Sequence, residues 1–167
     1  FPGAGRLKVA SYNTGFWYDT TIAPAGDGTF TINAPTNPLV NIGGGPEGIV
    51  YIAGDNPGFT NDSVLVSEYS TGRVVAYEID SIGDPLPETR RVFMTGLSGA
   101  EGAAIDPLTG EFFFSTFGGG DRVVRVKGFT EIRPPGDMNC DGLVTVGDIA
   151  GFVLALTNPA QYVVQFP

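Results

Sequence analysis

The chain has 167 residues, enough for one domain of moderate size and a small module, and its 18 acidic and 9 basic residues give a formal net charge of −9. Nucleic acid is excluded as an expected partner, because phosphate contacts require clustered Lys and Arg. No apolar run reaches the length of a membrane span. The absence of histidine excludes His-based catalytic triads and His-ligated zinc or haem within this chain.

Glycine and proline are abundant, at 25 and 13 residues, and helical patterns are confined to the C-terminal end. This composition predicts a mainly β protein with many turns. It also fits an extracellular setting. Because no signal peptide is visible and the chain begins at Phe1 rather than Met, we expect a mature or fragmentary chain.

Residues 1–129 contain an internal repeat. Segments 46–51, 63–69 and 72–77 return in the same order and with similar chemistry as 100–105, 111–117 and 121–126, and a weaker third copy covers 7–13. Each complete copy predicts three strands joined by turns, and residues 90–94 predict a fourth, outer strand. The third copy begins at a middle strand, so it is missing an inner one.

Units of four antiparallel strands and roughly 40 to 55 residues are typical of β-propeller blades. The predicted fold is therefore mainly β, with about two and a half propeller-like blades over residues 1–129. An ordinary β-sandwich is the alternative. Because a closed propeller needs at least about four blades, three explanations stay open. The chain is a fragment, other chains complete its ring, or its sheets form an open stack with unpaired edges.

The repeated strands resemble the broad propeller group that contains NHL-repeat and gluconolactonase-like proteins. In the gluconolactonase-like family, a glutamate before a glycine on an inner strand helps to hold a divalent metal, and Glu47-Gly48 and Glu101-Gly102 resemble that position. Such a site also needs Asn and Asp ligands from other blades, which the sequence does not place. We therefore interpret both glutamates as structural residues that recur with the blade, and we assign no catalytic residue.

A Pro-rich linker is predicted over residues 130–136, because Pro134 and Pro135 cannot lie inside a helix. The next segment, 137–148, has the spacing of an EF-hand-type calcium loop, with a glycine at its sixth position. Oxygen atoms at alternating positions would surround a calcium ion, one of them from a backbone carbonyl and one through a bridging water. The predicted metal ligands are Asp137, Asn139, Asp141, Leu143, Thr145 and Asp148.

A helix is predicted directly after this loop. Apolar residues recur at helical spacing and form a stripe of Ile149, Phe152, Val153 and Leu156. Asn158-Pro159 is expected to stop the helix. The alternative interpretation of the loop is an Asp/Asn-rich surface turn before a short helix. We favour calcium, because five loop positions and the following helix agree with the calcium pattern.

The loop and helix together, residues 136–158, resemble the dockerin type I repeat and the dockerin-like tails of bacterial secreted proteins. This resemblance implies an extracellular modular protein that binds calcium through Asp137, Asn139, Asp141 and Asp148. It does not establish cohesin binding, since dockerins carry two such repeats and residues 137–167 contain one. Cys140 is either an inert small residue or the partner of a cysteine in a missing repeat or another chain.

From these patterns we expect a secreted, non-enzymatic binding or assembly protein with a calcium-stabilised, dockerin-like tail. Its expected partners are other protein chains, through self-assembly or on a surface scaffold, at an extracellular or cell-surface location. The alternative is a metal-dependent propeller hydrolase of the lactonase type, or a lyase.

Overall fold

A computed structural model describes residues 2–33, 38–107, 109–129, 136–141 and 143–166. The chain divides into two compact units, Phe1–Thr130 and Glu131–Pro167, which we call the β unit and the tail. Most of the predicted linker, residues 130–135, and the loop glycine Gly142 lie outside the described residues.

The described residues of the β unit form three antiparallel sheets. The first sheet consists of β1 (Arg6–Ala10), β2 (Phe16–Pro24), β3 (Phe30–Ile32) and β4 (Val40–Asn41). The middle sheet consists of β5 (Pro46–Ile52), β6 (Ser63–Glu68), β7 (Arg73–Glu78) and β8 (Arg91–Met94). The third sheet consists of β9 (Ala100–Ile105), β10 (Phe112–Thr116) and β11 (Val123–Val126). Single 3-10 turns occupy Tyr69–Thr71 and Pro87–Thr89.

These sheets confirm a mainly β protein whose antiparallel units follow the repeat. The middle sheet has the order β5-β6-β7-β8, so the fourth, outer strand predicted at residues 90–94 is present as β8. The third sheet has the order β11-β10-β9 and comprises three described strands. The described residues close neither a barrel nor a propeller.

The repeat is visible in the strand register. One extra residue bulges from β5 opposite β6, and one bulges from β9 opposite β10, at the two Glu-Gly pairs. The flanking pairs are Pro46 with Glu68, Ile49 with Val66, Ala100 with Thr116, and Ala103 with Phe114. Glu47 and Glu101 therefore occupy equivalent places in their sheets, as the repeat predicts.

The middle sheet is buried on both faces. Side chains of β6 alternate between the two faces, so Leu65 packs with Phe112 and Phe114 of the third sheet, while Val64 and Val66 pack with Trp17 of the first sheet. Every residue of β6 is buried. A continuous apolar run, rather than an alternating one, is the pattern expected of such a doubly covered strand.

A network of charged side chains joins the first sheet to the loop after β7. The Lys8 ammonium lies 2.9 Å from Asp19 and 2.6 Å from Asp84. The Trp17 indole N–H also donates to Asp84, at 2.8 Å. Hydrogen bonding from Arg6, and then from Lys8, holds the pKa of Asp19 below its usual value despite partial desolvation. The network gives Lys8 two carboxylate partners and gives the buried indole an acceptor.

The tail contains two helices, α1 (Asp148–Thr157) and α2 (Pro159–Gln165). The prediction of a helix after the loop, ending before Asn158-Pro159, is confirmed. The second helix was not predicted, because Pro159 was interpreted only as a stop signal. Proline is well accommodated at the first position of a new helix, and the Asn158 side chain caps this one by accepting the N–H of Gln161 at 3.2 Å.

We predict that Gly48→Ala destabilises the β unit by about 2 kcal/mol or more, because an added Cβ would overlap the Glu101 carbonyl oxygen on rigid backbone. The matched control is Gly102→Ala, in the equivalent bulge. There the Cβ meets the Ser115 hydroxyl, a side-chain atom that can move. In urea unfolding, the midpoint of Gly48→Ala should be well below that of Gly102→Ala. Equal midpoints would show that the close approach at Gly48 is not needed.

We predict that Asp19→Asn costs about 1–3 kcal/mol at pH 7, because a charged acceptor of Arg6 and Lys8 is lost. The folded-state pKa of Asp19 is lowered. Its contribution is therefore complete above the unfolded pKa of about 3.9 and disappears as pH falls through the lower folded-state pKa. Urea unfolding should be measured at pH 7 and near pH 3. The difference between the midpoints of the native chain and of Asp19→Asn should be smaller at the lower pH.

Asp55→Asn is the control for this experiment, since it removes the same charge from an exposed position in a turn. Its unfolding midpoint should stay close to that of the native chain at pH 7. If the difference in midpoint between Asp19→Asn and the native chain did not change with pH, the Asp19 carboxylate would not have the proposed role.

Candidate calcium loop and acidic pocket

The predicted calcium ligands differ in burial. The side chains at the two ends of the loop are buried, with Asp137 6 % and Asp148 5 % exposed. Asn139 is half-buried, whereas Asp141, Leu143 and Thr145 are exposed. The loop therefore encloses its first and last carboxylates and leaves its middle open to solvent.

Asp148 joins the two ends of the loop. Its carboxylate accepts the backbone N–H groups of Met138 and Asn139, at 2.7 and 3.1 Å, and that of Thr145, at 2.7 Å. The hydrogen bond from Thr145 is the largest cause of the lowered pKa of Asp148, followed among the lowering causes by those from Asn139 and Met138. Asp148 is also the first residue of α1, where a negative charge is favourable.

The remaining acidic and amide side chains turn back onto the loop backbone. The N–H of Asp141 donates to Asp137 Oδ1 and to Asn139 Oδ1, both at 3.1 Å. Asn139 Nδ2 donates to Asp141 Oδ2 at 2.8 Å. Asp141 Oδ1 accepts the N–H of Leu143 at 2.9 Å. These bonds curl the loop by satisfying its amides locally, as Asx turns do.

The donor set fits a hard divalent cation in its chemistry, since the side chains concerned offer only oxygen ligands, apart from the Asn139 amide nitrogen. Among the described residues, no three Asp, Glu, His or Cys side chains are gathered closely enough to hold a metal ion. The loop is thus curled by hydrogen bonds, and a bound cation would share the oxygens of Asp137, Asp141 and Asp148 with the backbone N–H groups that they accept. Calcium binding by these residues stays a prediction.

Two residues shape the loop in ways that its spacing did not predict. Gly151 lets α1 lie directly on the loop, because a Cβ there would overlap the Met138 carbonyl. Cys140 adopts a positive φ of 61°, a left-handed conformation that is uncommon for a residue other than glycine. The close contact at Gly151 could have been predicted from the sequence, because a glycine inside a predicted helix often indicates close packing.

The apolar stripe of α1 is largely exposed. Its members Ile149, Phe152, Val153 and Leu156 are 62 %, 52 %, 50 % and 69 % exposed. The second helix adds Val163 and Val164, also exposed. Neither helix contains Lys or Arg, and the buried Asp148 is their one acidic residue. The two helices therefore carry an uncharged apolar surface, which we call the tail face.

The two repeated glutamates of the β unit share a cavity of about 250 Å³, which Glu47, Gly48, Glu101 and Gly102 line. The absent side chain of Gly48 allows β5 to approach the β9 backbone at this point. The described lining contains two carboxylates and no amide or third acid. The structure brings these glutamates together but does not place the Asn and Asp ligands that a lactonase-type metal site would need.

Glu68, the most buried acid of the middle sheet, has a structural role. It is 1 % exposed, and its carboxylate accepts two hydrogen bonds from Arg90, at 2.8 and 3.0 Å, and one from Thr71, at 2.7 Å. Hydrogen bonding to Glu68 is the largest cause of the raised pKa of Arg90. The buried carboxylate is thus paired with an opposite charge and a hydroxyl group, as a buried structural acid requires.

No family model matches this chain, and no curated protein matches it. Neither described helix has the length and apolar character that a membrane crossing requires.

We predict that calcium in the range of about 0.1–1 mM, typical of extracellular calcium modules, protects the tail from chymotrypsin at the exposed α1 side chains. Asp141→Ala should weaken calcium binding at least tenfold, as measured by isothermal titration calorimetry, because it removes one charged ligand. Asp148→Ala should also loosen the tail without calcium, since three backbone N–H groups lose their acceptor.

Asp55→Ala, in an exposed turn of the β unit, is the charge-matched control and should leave calcium affinity unchanged. Two results would reject the site. One is an absence of protection at millimolar calcium, and the other is native calcium affinity in Asp141→Ala.

Proposed function

We propose that this chain is a secreted, non-enzymatic binding or assembly protein, with a calcium-stabilised, dockerin-like tail for attachment and a propeller-like body. The single observation that carries the proposal is the tail face. It is an exposed, uncharged apolar surface on two helices that directly follow a calcium-type loop. Exposed apolar surfaces of this kind are typical of protein–protein contacts.

The loop supports an attachment role through its coupling to the helix. Asp148 belongs to both, as a predicted calcium ligand and as the first residue of α1. A cation bound in the loop would therefore order the start of the helix that presents the apolar stripe. Calcium is abundant outside cells, so such a module would be stable in the extracellular or cell-surface location that we propose.

The β unit supports assembly through a free strand edge. The Ser11 N–H donates to the Phe16 carbonyl, so Ser11 is hydrogen-bonded to the chain at the start of β2. Because hydrogen-bonded residues alternate along an antiparallel strand, the N–H and C=O groups of Lys8 and Ala10 point away from β2. In the other two sheets the corresponding edge is covered, by β5 on β6 and by β9 on β10. Among the described strands, β1 pairs with β2 alone. An uncovered edge offers N–H and C=O groups to a strand from another chain.

The tail face can be tested by light scattering on the full chain at about 10 µM with millimolar calcium. We expect association of the native chain, and a shift to monomer in Phe152→Glu, because a buried unpaired charge is costly. Gln165→Glu, which adds the same charge at the end of α2, should associate as the native chain does. A native chain that stays monomeric would contradict self-association through this face, and a Phe152→Glu chain that still associates would assign the contact to another surface, such as the β1 edge.

A metal-dependent lactonase-type hydrolase, or a lyase, is the second candidate. The observation that favours it is the shared cavity of Glu47 and Glu101. Hydrolysis of simple lactones with added divalent metal would support this candidate if Glu47→Gln and Glu101→Gln each abolished it. Activity that survives in both variants would remove it.

A further inference from the structure

A second cavity of the β unit lies beside β8, away from the two glutamates. Its volume is about 260 Å³, and its lining consists of Gly58, Phe59, Arg91, Val92, Phe93 and Phe129. Three of these six residues are phenylalanines and one is an arginine. We call this cavity the Phe–Arg pocket. No part of the calcium loop or of the repeated Glu-Gly pairs contributes to it.

The aromatic wall of the pocket is held by ring packing. The Phe59 ring centroid lies 6.0 Å from that of Phe93 and 6.0 Å from that of Phe129, and the Phe93 and Phe129 centroids are 5.4 Å apart. These spacings are within the range of favourable aromatic pairs. Phe59 is only 3 % exposed and belongs to the core cluster that includes Phe112 and Phe114. The wall is therefore an extension of the hydrophobic core that reaches the surface.

Arg91 places a positive charge at this wall. Arg91 and Phe93 both lie against the Phe59 ring, Phe93 at a bulge of β8. The guanidinium carbon lies 4.7 Å from the Phe59 ring centroid, a cation–π distance. One terminal nitrogen donates to the Gly58 carbonyl at 3.1 Å. The contact with the Phe59 ring and this hydrogen bond together restrict the orientation of the guanidinium.

The guanidinium retains unused hydrogen-bonding capacity. Arginine has five N–H donors, and Gly58 accepts from one of them. Within the described ranges, no Asp or Glu forms an ion pair with Arg91, whereas Arg6, Arg90 and Arg125 each have a carboxylate partner. An arginine fixed in orientation at an apolar wall and without an acidic partner is a strong receptor for a carboxylate.

We propose that the Phe–Arg pocket binds a small aromatic carboxylate, with its ring against the phenylalanine wall and its carboxylate on the guanidinium of Arg91. Small-molecule pockets usually measure about 300–1,000 Å³, so this one suits a single ring with a short acidic arm. The apolar wall would exclude water from one side of the ion pair and strengthen it. All six lining residues belong to the β unit, so we expect this binding without calcium.

The proposal can be tested with phenylacetate as the probe and two-dimensional amide NMR on the full chain. Titration should shift the backbone signals of Gly58, Val92 and Phe129 in the millimolar range. Phenylacetamide, which has the same ring without the charge, should bind at least fivefold more weakly, and acetate should leave these signals in place. Equal affinity for phenylacetate and phenylacetamide would overturn the role of Arg91.

Arg91→Gln should weaken phenylacetate binding about tenfold, because the charge-assisted hydrogen bonds are lost. Arg91→Lys should recover part of the affinity, since it restores the charge without the planar fork. Arg73→Gln removes a positive charge from the exposed start of β7, outside the pocket, and is the control expected to bind as the native chain does. Native-like spectra away from the pocket would show that each variant is folded. Native affinity in a folded Arg91→Gln chain would overturn the proposal.

Discussion

The close approach of β5 to β9 is the contact on which the arrangement of the β unit depends. It is possible because Gly48 has no side chain where the Glu101 carbonyl lies against it. Each of the two strands carries a bulge at this point, so the Glu-Gly pairs meet at one cavity. Beside this contact, a phenylalanine-rich core packs between the middle and third sheets.

The two units of the chain are stabilised in different ways. The β unit has two apolar clusters on opposite faces of the middle sheet, and its buried charges are paired with opposite charges. Among its described residues, the tail fully buries no large apolar side chain, and the stripe of α1 and the valines of α2 are exposed. Its order depends on carboxylate and amide oxygens that accept backbone N–H groups. A unit of that kind gains most from a bound cation or a partner surface.

Repetition explains why some glutamates share an environment and others do not. Glu47 and Glu101 follow the same strand register and come to one cavity. Glu68 has no acidic equivalent, because the third sheet has Thr116 at the matching position. Glu68 is instead enclosed by Arg90, Thr71 and the backbone near Gly44. Its buried carboxylate needs these partners, which give it a structural role.

Local patterns in the sequence determined much of the secondary structure. Apolar runs bounded by turn residues predicted the strands of the middle and third sheets, including β8. The spacing of Ile149, Phe152, Val153 and Leu156 predicted α1. Loop spacing alone predicted the calcium ligands, and both their identity and their coordination stay predictions. These features depend on residues close together in the chain, so short-range rules are sufficient for them.

Tertiary structure decided what depends on residues distant in sequence. The cavity shared by Glu47 and Glu101 required the packing of β5 on β9. The pocket around Arg91 required the ring of Phe129 to meet Phe59 and Phe93. The ion pair between Lys8 and Asp84, which are 76 residues apart, could not be predicted from the local sequence either. Asp148 combines both kinds of information. Its position in the loop predicted a calcium ligand, whereas only the folded loop showed that it accepts three backbone N–H groups.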